Sequence, residues 1–280
     1  MKQNADVSYD AGIDWLTVTT TQGDQTQSLL ELARELEETQ LPENAIAEDW
    51  RGLGYRGRSY EGLRVGQRAG GEAILILSGD LAKRVGETYT VDSSRVTRAD
   101  FQVTVVLPEP DPLIAQRTYL EYKKLTDSEK SGRMYTYISS STGDTLNVGK
   151  RSRNKYLRFY DKSSWFNGAP LGTYWRYEVE LKKAVAKEAM RMFNEAENRH
   201  VFIGEQVWGA FEKKGIEPRF SVDNRPTSIQ VGQNVTTADS KIAWLSRCVA
   251  PVVTQLIHLG YEEEVLRSLK LRGVYRSGDE

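Results

Sequence analysis

Residues 144–162 read D-T-L-N-V-G-K-R-S-R-N-K-Y-L-R-F-Y-D-K, a run in which two tyrosines lie among closely spaced lysines and arginines. Side chains alternate across a strand, so Tyr156, Arg158, Tyr160 and Lys162 fall on one face of this stretch, and Leu157 and Phe159 on the other. A tyrosine hydroxyl flanked by cations suits attack on a phosphodiester. With a pKa near 10, only about one tyrosine hydroxyl in a thousand is ionised at neutral pH. A nucleophilic tyrosine therefore needs a base or nearby positive charge. Tyr160 is the candidate nucleophile and Tyr156 its competitor on the same face. Lys162, Arg158 and Arg151 are candidate phosphate contacts. Lys150, Arg151, Arg153 and Lys155 form a local cationic patch of the kind nucleic-acid phosphates require, unless they are simply a solvated basic loop.

Two further segments show the same alternation. Asp100, Gln102 and Thr104 alternate with Phe101, Val103 and Val105, and Arg176, Glu178 and Glu180 alternate with Tyr177, Val179 and Leu181. If the three segments are neighbours, one sheet face is apolar and the other carries tyrosine, carboxylates and cations. A half-solvated sheet has this pattern anyway, so the residue types carry more weight than the alternation. A divalent ion would polarise a scissile phosphate. Magnesium and manganese take hard oxygen ligands, which Asp100 and Glu178 can supply. Asp100 could instead pair with Arg98 or Arg176. The two histidines, His200 and His258, both follow the strand segments and read as structural, which excludes a tandem-histidine metal site.

The elements that must position these residues can be read in order. Residues 1–10 read as a leader, and residues 13–19 as a strand. Leu29, Leu30, Leu32, Ala33 and Leu36 recur at helical spacing. Residues 51–71 are glycine-rich and predict two short strands with tight turns; their spacing does not match a nucleotide-cradling loop. Strands are expected over 72–78, 95–107, 134–138, 145–148, 156–162 and 173–182, and helices over 81–85 and 113–125. The pattern predicts an α+β fold, a mostly antiparallel sheet with helices on one face. From residue 184 the pattern turns helical, at 184–196, 203–214, 240–258 and 261–271, with Ala243, Val249, Val252 and Leu256 as core positions. The expected division is a nicking domain over 1–183 and a helical C-terminal region over 184–280 packed on it.

The chain has 280 residues, 39% of them hydrophobic and 28% charged, with a net charge of −1. That balance argues against indiscriminate coating of nucleic acid. The charge is nonetheless unevenly placed, since Glu31, Glu35, Glu37, Glu38, Glu43, Glu48 and Asp49 crowd the early region. No apolar run is long enough to span a bilayer, and no secretory signal opens the chain. The single cysteine, Cys248, excludes an internal disulfide and a multi-cysteine zinc site. A cytoplasmic protein without membrane contact is expected. Trp15, Trp50, Trp175 and Trp208 are candidates to stack on unpaired bases, or core residues.

The run T-L-N-V-G-K-R leading into R-F-Y-D-K resembles the tyrosine motif of the Rep_trans-type replication initiation factors of rolling-circle plasmids and filamentous phages, relatives of the MobT relaxases. Ile13-Asp14-Trp15-Leu16, Ile76-Leu77-Ser78-Gly79, V-T-R-A-D at 96–100, R-Y-E-V-E-L-K at 176–182, and Trp244-Leu245 with Val249-Ala250-Pro251 resemble further family segments in the family's order. Together they cover most of residues 12–260. The resemblance implies a relaxase-like or initiator-like palm, Tyr160 as the nicking tyrosine, Asp100 and Glu178 as ligands of Mg2+ or Mn2+, and a 5′-phosphotyrosine intermediate. It also implies origin DNA, single-stranded or in a hairpin, as substrate and a host helicase as partner; a homodimer is compatible. Relatives often carry a second aspartate four residues after the first, where this chain has Thr104. Glu180 is the candidate substitute. Some relatives begin with a helix-turn-helix domain that is absent here. Two alternatives stay open: a transfer relaxase with the same chemistry, and a DNA-binding protein that does not cleave. A tyrosine recombinase is disfavoured, because no histidine precedes Tyr160.

Overall fold

A computed structural model describes residues 9–21, 23–222 and 250–264. The chain divides into two compact units, Met1–Gln230 and Val231–Glu280.

The first unit is built on a ten-stranded, wholly antiparallel sheet, so the fold is α+β. Its central strands are β1 (Tyr9–Thr19), β6 (Val96–Val106) and β10 (Tyr174–Lys182). On one side lie β5 (Ala73–Ser78), β4 (Leu63–Gln67), β3 (Tyr55–Tyr60) and β2 (Glu48–Gly52). On the other lie β9 (Lys155–Asp161), β8 (Thr145–Val148) and β7 (Tyr135–Ile138). The glycine-rich segment forms three strands rather than the two expected. Its hydrophobic residues are sparse, but Gly57 and Gly66 lie directly opposite each other; a Cβ on Gly57 would strike the Val65 and Gly66 backbone, and the Trp50 ring lies where a Gly66 side chain would be. The N-terminal strand starts at Tyr9, inside the expected leader.

Alternation sorts the central strands into two faces. Ala99, Phe101, Val103 and Val105 of β6, Leu157 and Phe159 of β9, and Trp175, Tyr177, Val179 and Leu181 of β10 are buried in the main core. Helices α1 (Asp24–Gln40), α2 (Gly79–Thr88), α3 (Ile114–Lys124), α5 (Lys183–Glu195) and α6 (Arg199–Glu212) contribute apolar residues to the same cluster, which includes Leu36, Val85, Ala115, Phe193 and Phe211. A smaller cluster on the opposite face, Tyr55, Ile74 and Ile76 with Trp15 and Trp50 against them, contains strand residues only. Trp175 is fully buried and stacks on Phe159 at 4.5 Å, so it is a core residue and not the base-stacking platform it was a candidate to be. Trp208 packs against the main core as well.

A one-turn helix α4 (Asp127–Lys130) was not expected; a capping box between Thr126 and Glu129 starts it. Helices α5 and α6 pack on β6, β10 and β1. The expected boundary near residue 184 therefore marks the change from strands to helices, while the packing unit continues to Gln230. In the second unit a helix spans Ala250–His258, where Leu256, expected in a core, is 37% exposed. The expected segments 240–249 and 265–271, with Ala243, Trp244, Leu245, Val249 and Cys248, lie outside the described residues.

Candidate active site on the face opposite the helices

The register of β1, β6, β10, β9 and β8 sets three transverse rows on this face. The first row places Trp15, Asp100, Glu180 and Tyr156 side by side. The second places Gln102, Glu178, Arg158 and Asn147. The third places Thr104, Arg176, Tyr160 and Thr145. Neighbours in a row are close enough for side chains to interact directly. The sequence-predicted residues Tyr160, Arg158, Asp100, Glu178 and Glu180 are thus brought together.

Two carboxylates directly opposite each other, Asp100 and Glu180, would repel. Arg98, two residues before Asp100 on the same strand face, bridges them. Its Nε donates to Asp100 Oδ1 at 2.8 Å, and its Nη2 lies 2.5 Å from Asp100 Oδ2 and 3.0 Å from Glu180 Oε2. Arg98 in turn lies over the Trp15 ring, 4.7 Å from its centroid. Arg158 Nη2 donates to Glu178 Oε1 and lies 3.6 Å from Asp100. Lys182 pairs with Glu180, and Arg151 approaches Glu180 at 3.7 Å from the rim. Asp100, Glu178 and Glu180 are each no more than 1% exposed. Three buried acids are thus held beneath three partly buried cations. Burial, reinforced by the Glu178 and Glu180 charges and opposed by Arg98, pushes the Asp100 carboxyl up to about 7.

Tyr160 donates its hydroxyl to Glu178 Oε2 at 3.4 Å, the only hydrogen bond of its side chain among the described residues. Burial and then the Glu178 charge push the phenol well above its ordinary value, while Arg176 and Arg158 pull it back. Tyr156, half-buried beside Glu180, is raised by burial as well. Lys162 lies just beyond β9, capping a 3-10 turn over Ser163–Trp165, with its ammonium 4.7 Å above the Trp165 ring. Burial, reinforced by Arg176, lowers the Lys162 ammonium to about 8.

Asp14 belongs to the site although its role could not be read from the sequence. A register shift between Ile13 and Trp15 leaves Asp14 as the extra residue of a β-bulge, a device that re-aims a side chain. Asp14 Oδ1 accepts from Arg176 Nη1 at 2.6 Å, and Arg176 Nε donates to Thr104 Oγ1 at 3.0 Å. Thr104 donates to Gln102 at 2.9 Å. Thr104 thus uses its hydroxyl to hold Arg176 beside Tyr160. Asp161, the acid between Tyr160 and Lys162, points away from the site. It accepts from the Ser163 and Gly172 amides at 2.9 and 2.6 Å.

The expected DNA patch is split. Lys150, Arg151 and Arg153 are exposed on the turn between β8 and β9, and only Arg151 reaches the carboxylates. Lys155 is half-buried, with its ammonium pKa lowered by burial and by Lys213 and Lys214 of the α6 end. His200 stacks on Tyr9 at 5.1 Å, and His258 belongs to the second unit.

A hard divalent ion is the group that this donor set suits in part. Three carboxylates from adjacent strands fit its chemistry, and neither oxygen of Glu180 receives a hydrogen bond of good geometry. Asp100 and Glu178, however, already give their oxygens to Arg98 and Arg158. Among the described residues no three acidic groups converge as an ion requires. An ion would have to exchange with these guanidinium groups.

No curated protein matches the chain. Among solved structures it is similar to a rolling circle replication initiator protein from Geobacillus stearothermophilus, at 17% identity and a TM-score of 0.48, over 73% of this chain and 85% of that one. A family model described as replication initiation factor matches residues 107–269, which include Tyr160, Glu178 and Glu180 and leave Asp14, Arg98 and Asp100 upstream. That match spans more than half of the chain, which therefore belongs to the Rep_trans family of replication initiation factors.

Proposed function

We propose that this chain nicks and rejoins one DNA strand at a replication origin, with Tyr160 as nucleophile. The observation that carries the reading is the Tyr160 hydroxyl 3.4 Å from a buried carboxylate, in a row with Arg176 and beside Arg158. Tyr160 Oη attacks the scissile phosphorus, and the bond from phosphorus to the 3′ oxygen breaks. The 5′ phosphate stays on the tyrosine, and the 3′ oxygen leaves as a hydroxyl once protonated. Glu178 Oε2 is placed to take the phenol proton. Protonating Glu178 removes the charge that opposes the phenolate, and Arg176 and Arg158 then favour it. Asp14 and Thr104 hold Arg176 in this position. Lys162 and Arg151 meet the phosphates on either side, and Lys150 and Arg153 extend the track. Rejoining is the reverse attack by a 3′-OH and needs no nucleotide. Unwinding is assigned to a separate helicase.

Asp100 and Glu180 would hold a Mg2+ or Mn2+ ion in place of Arg98, which leaves Glu178 and Arg158 to Tyr160. A bound ion would supply charge neutralisation at the phosphoryl oxygens.

The test incubates the protein with labelled single-stranded DNA from its own replicon and Mn2+, then looks for an adduct that survives denaturation. The expected adduct maps to Tyr160 by mass spectrometry and is lost with EDTA. An adduct on Tyr156 would overturn the site assignment. Binding without any adduct would favour a protein that recognises the origin and does not cut it.

A further inference from the structure

The segment that leaves Tyr160 carries an aromatic residue that the proposed chemistry leaves unused. Trp165 is 72% exposed, the most exposed aromatic side chain among the large hydrophobic residues of the described chain. It sits at the end of the 3-10 turn that starts directly after β9, five residues from Tyr160. The turn is not loose. Ser163 is fully buried, and its hydroxyl accepts from the Thr173 and Tyr174 amides at 3.0 and 2.9 Å. The neighbouring Phe166 stacks on Tyr174 at 4.0 Å. One face of the indole is covered by the Lys162 ammonium. That ammonium makes no ion pair or hydrogen bond among the described residues, so it can still meet an anion.

A rigidly mounted, exposed indole beside a free cation suits one occupant. A nucleotide in single-stranded DNA offers a flat base and a phosphate on one unit, and bases stack on aromatic side chains whatever their identity. We propose that Trp165 is the stacking platform for an unpaired base next to the scissile phosphate, with Lys162 holding the phosphate of the same stretch. Trp165 would then act as a positioning residue that fixes which phosphate faces Tyr160.

This inference rests on the nicking reading, and the test separates the two. Binding is measured by fluorescence anisotropy in the Tyr160→Phe background, where no adduct can form. The probes are a labelled 16-nucleotide oligothymidine and a 16-mer of the same backbone carrying abasic residues throughout. Stacking on one base is worth about 1–3 kcal/mol. Trp165→Ala should therefore weaken oligothymidine binding roughly 5- to 150-fold and leave the abasic 16-mer within about twofold. Trp165→Phe should restore most of the loss, because a phenyl ring still stacks. An unchanged unfolding midpoint in Trp165→Ala checks that the turn is intact. Oligothymidine binding unaffected by Trp165→Ala, or an equal loss for both probes, would overturn the platform. These base-dependent losses on Trp165→Ala, together with a protein with Tyr160 intact that forms no adduct, would instead refute the nicking reading alone.

Discussion

Asp161 is the acid of the Y-D-K sequence, and its position beside Tyr160 invites a catalytic role. The structure makes it a support, and removing it measures that support. Its carboxylate is 6% exposed and accepts from two backbone amides, Ser163 at 2.9 Å and Gly172 at 2.6 Å. Gly172 cannot move away to find another acceptor. It has φ +84, and a Cβ there would fall 2.3 Å from the Pro112 backbone nitrogen, so the chain is pressed against residues 111–112. Hydrogen bonds to a charged group contribute about 1.5–3 kcal/mol each, and a buried donor left unpaired costs a similar amount. Asp161→Ala loses two such bonds, and part of the loss is offset because a buried charge no longer needs solvating. The expected net destabilisation is about 3–5 kcal/mol. For a unit of this size that is a fall of roughly 6–20 °C in unfolding temperature. Asp161→Asn keeps one acceptor oxygen but turns an amide group toward a backbone donor, so it should fall between wild type and Ala. Urea unfolding followed by circular dichroism gives the free energies. Hydrogen exchange should show the Gly172 and Ser163 amides losing protection first. An Asp161→Ala protein within about 1 kcal/mol of wild type, with both amides still protected, would refute the reasoning and leave Asp161 free for a role in the chemistry.

The remaining expectations concern the site itself. Tyr160→Phe should abolish the covalent adduct and cost less than about 1 kcal/mol in urea unfolding, because its 3.4 Å hydrogen bond is long; a large stability loss would mean the tyrosine is structural. If the carboxylates bind a divalent ion, Mn2+ at about 100 times its dissociation constant should stabilise the wild type by about 2.7 kcal/mol, and an Asp100→Asn, Glu180→Gln protein should show no such gain; equal gains in both would place the ion elsewhere. Asp100 has a folded pKa raised from 3.8 to about 7. A raised acid binds its proton more tightly when folded, so its stabilising contribution is complete below about pH 4 and is lost as pH rises through about 7. The stability of wild type minus that of Asp100→Asn should therefore fall with pH across that window, at up to about 1.4 kcal/mol per pH unit. A flat or rising difference would show that Arg98 outweighs burial.

The alternation in three segments was enough to place Asp100, Glu178, Arg158 and Tyr160 on one face, because a period of two survives any neighbouring context. It offered Arg98 as one of two cations that could pair with Asp100, and the structure forms that pair. It did not show that the same guanidinium reaches Glu180; only the pairing of Asp100 with Glu180 shows why a cation must stand over both. Asp14 needed the bulge, which no local residue announces; strict alternation would have assigned it with Gly12 and Leu16. Trp165 was overlooked because it lies outside every periodic segment. Of the two readings of Trp175, the core one holds, since the strand that carries it alternates through the core. The helix at 127–130 did have a readable signal, the T-D-S-E capping box, too short to stand out beside the longer apolar patterns.

The site geometry depends on packing from the other side of the sheet. A one-residue slip of β9 against β10 would turn Tyr160 and Arg158 toward the helices and away from Glu178. What prevents it is the aromatic contact beneath the site. Phe159 stacks on Trp175 at 4.5 Å and on Tyr177 at 4.4 Å, so its ring is wedged between two successive core positions of β10. Tyr177 is held in turn by an edge contact to Phe211 of α6, and its hydroxyl accepts from the Arg219 amide at 3.1 Å. Phe159 lies opposite Tyr177 in the pairing, and that single alignment places Arg158 opposite Glu178 and Tyr160 opposite Arg176. The helices after residue 183 therefore act on the candidate chemistry without touching it. They fix the core aromatics, the aromatics fix the register, and the register decides which carboxylate meets the tyrosine hydroxyl.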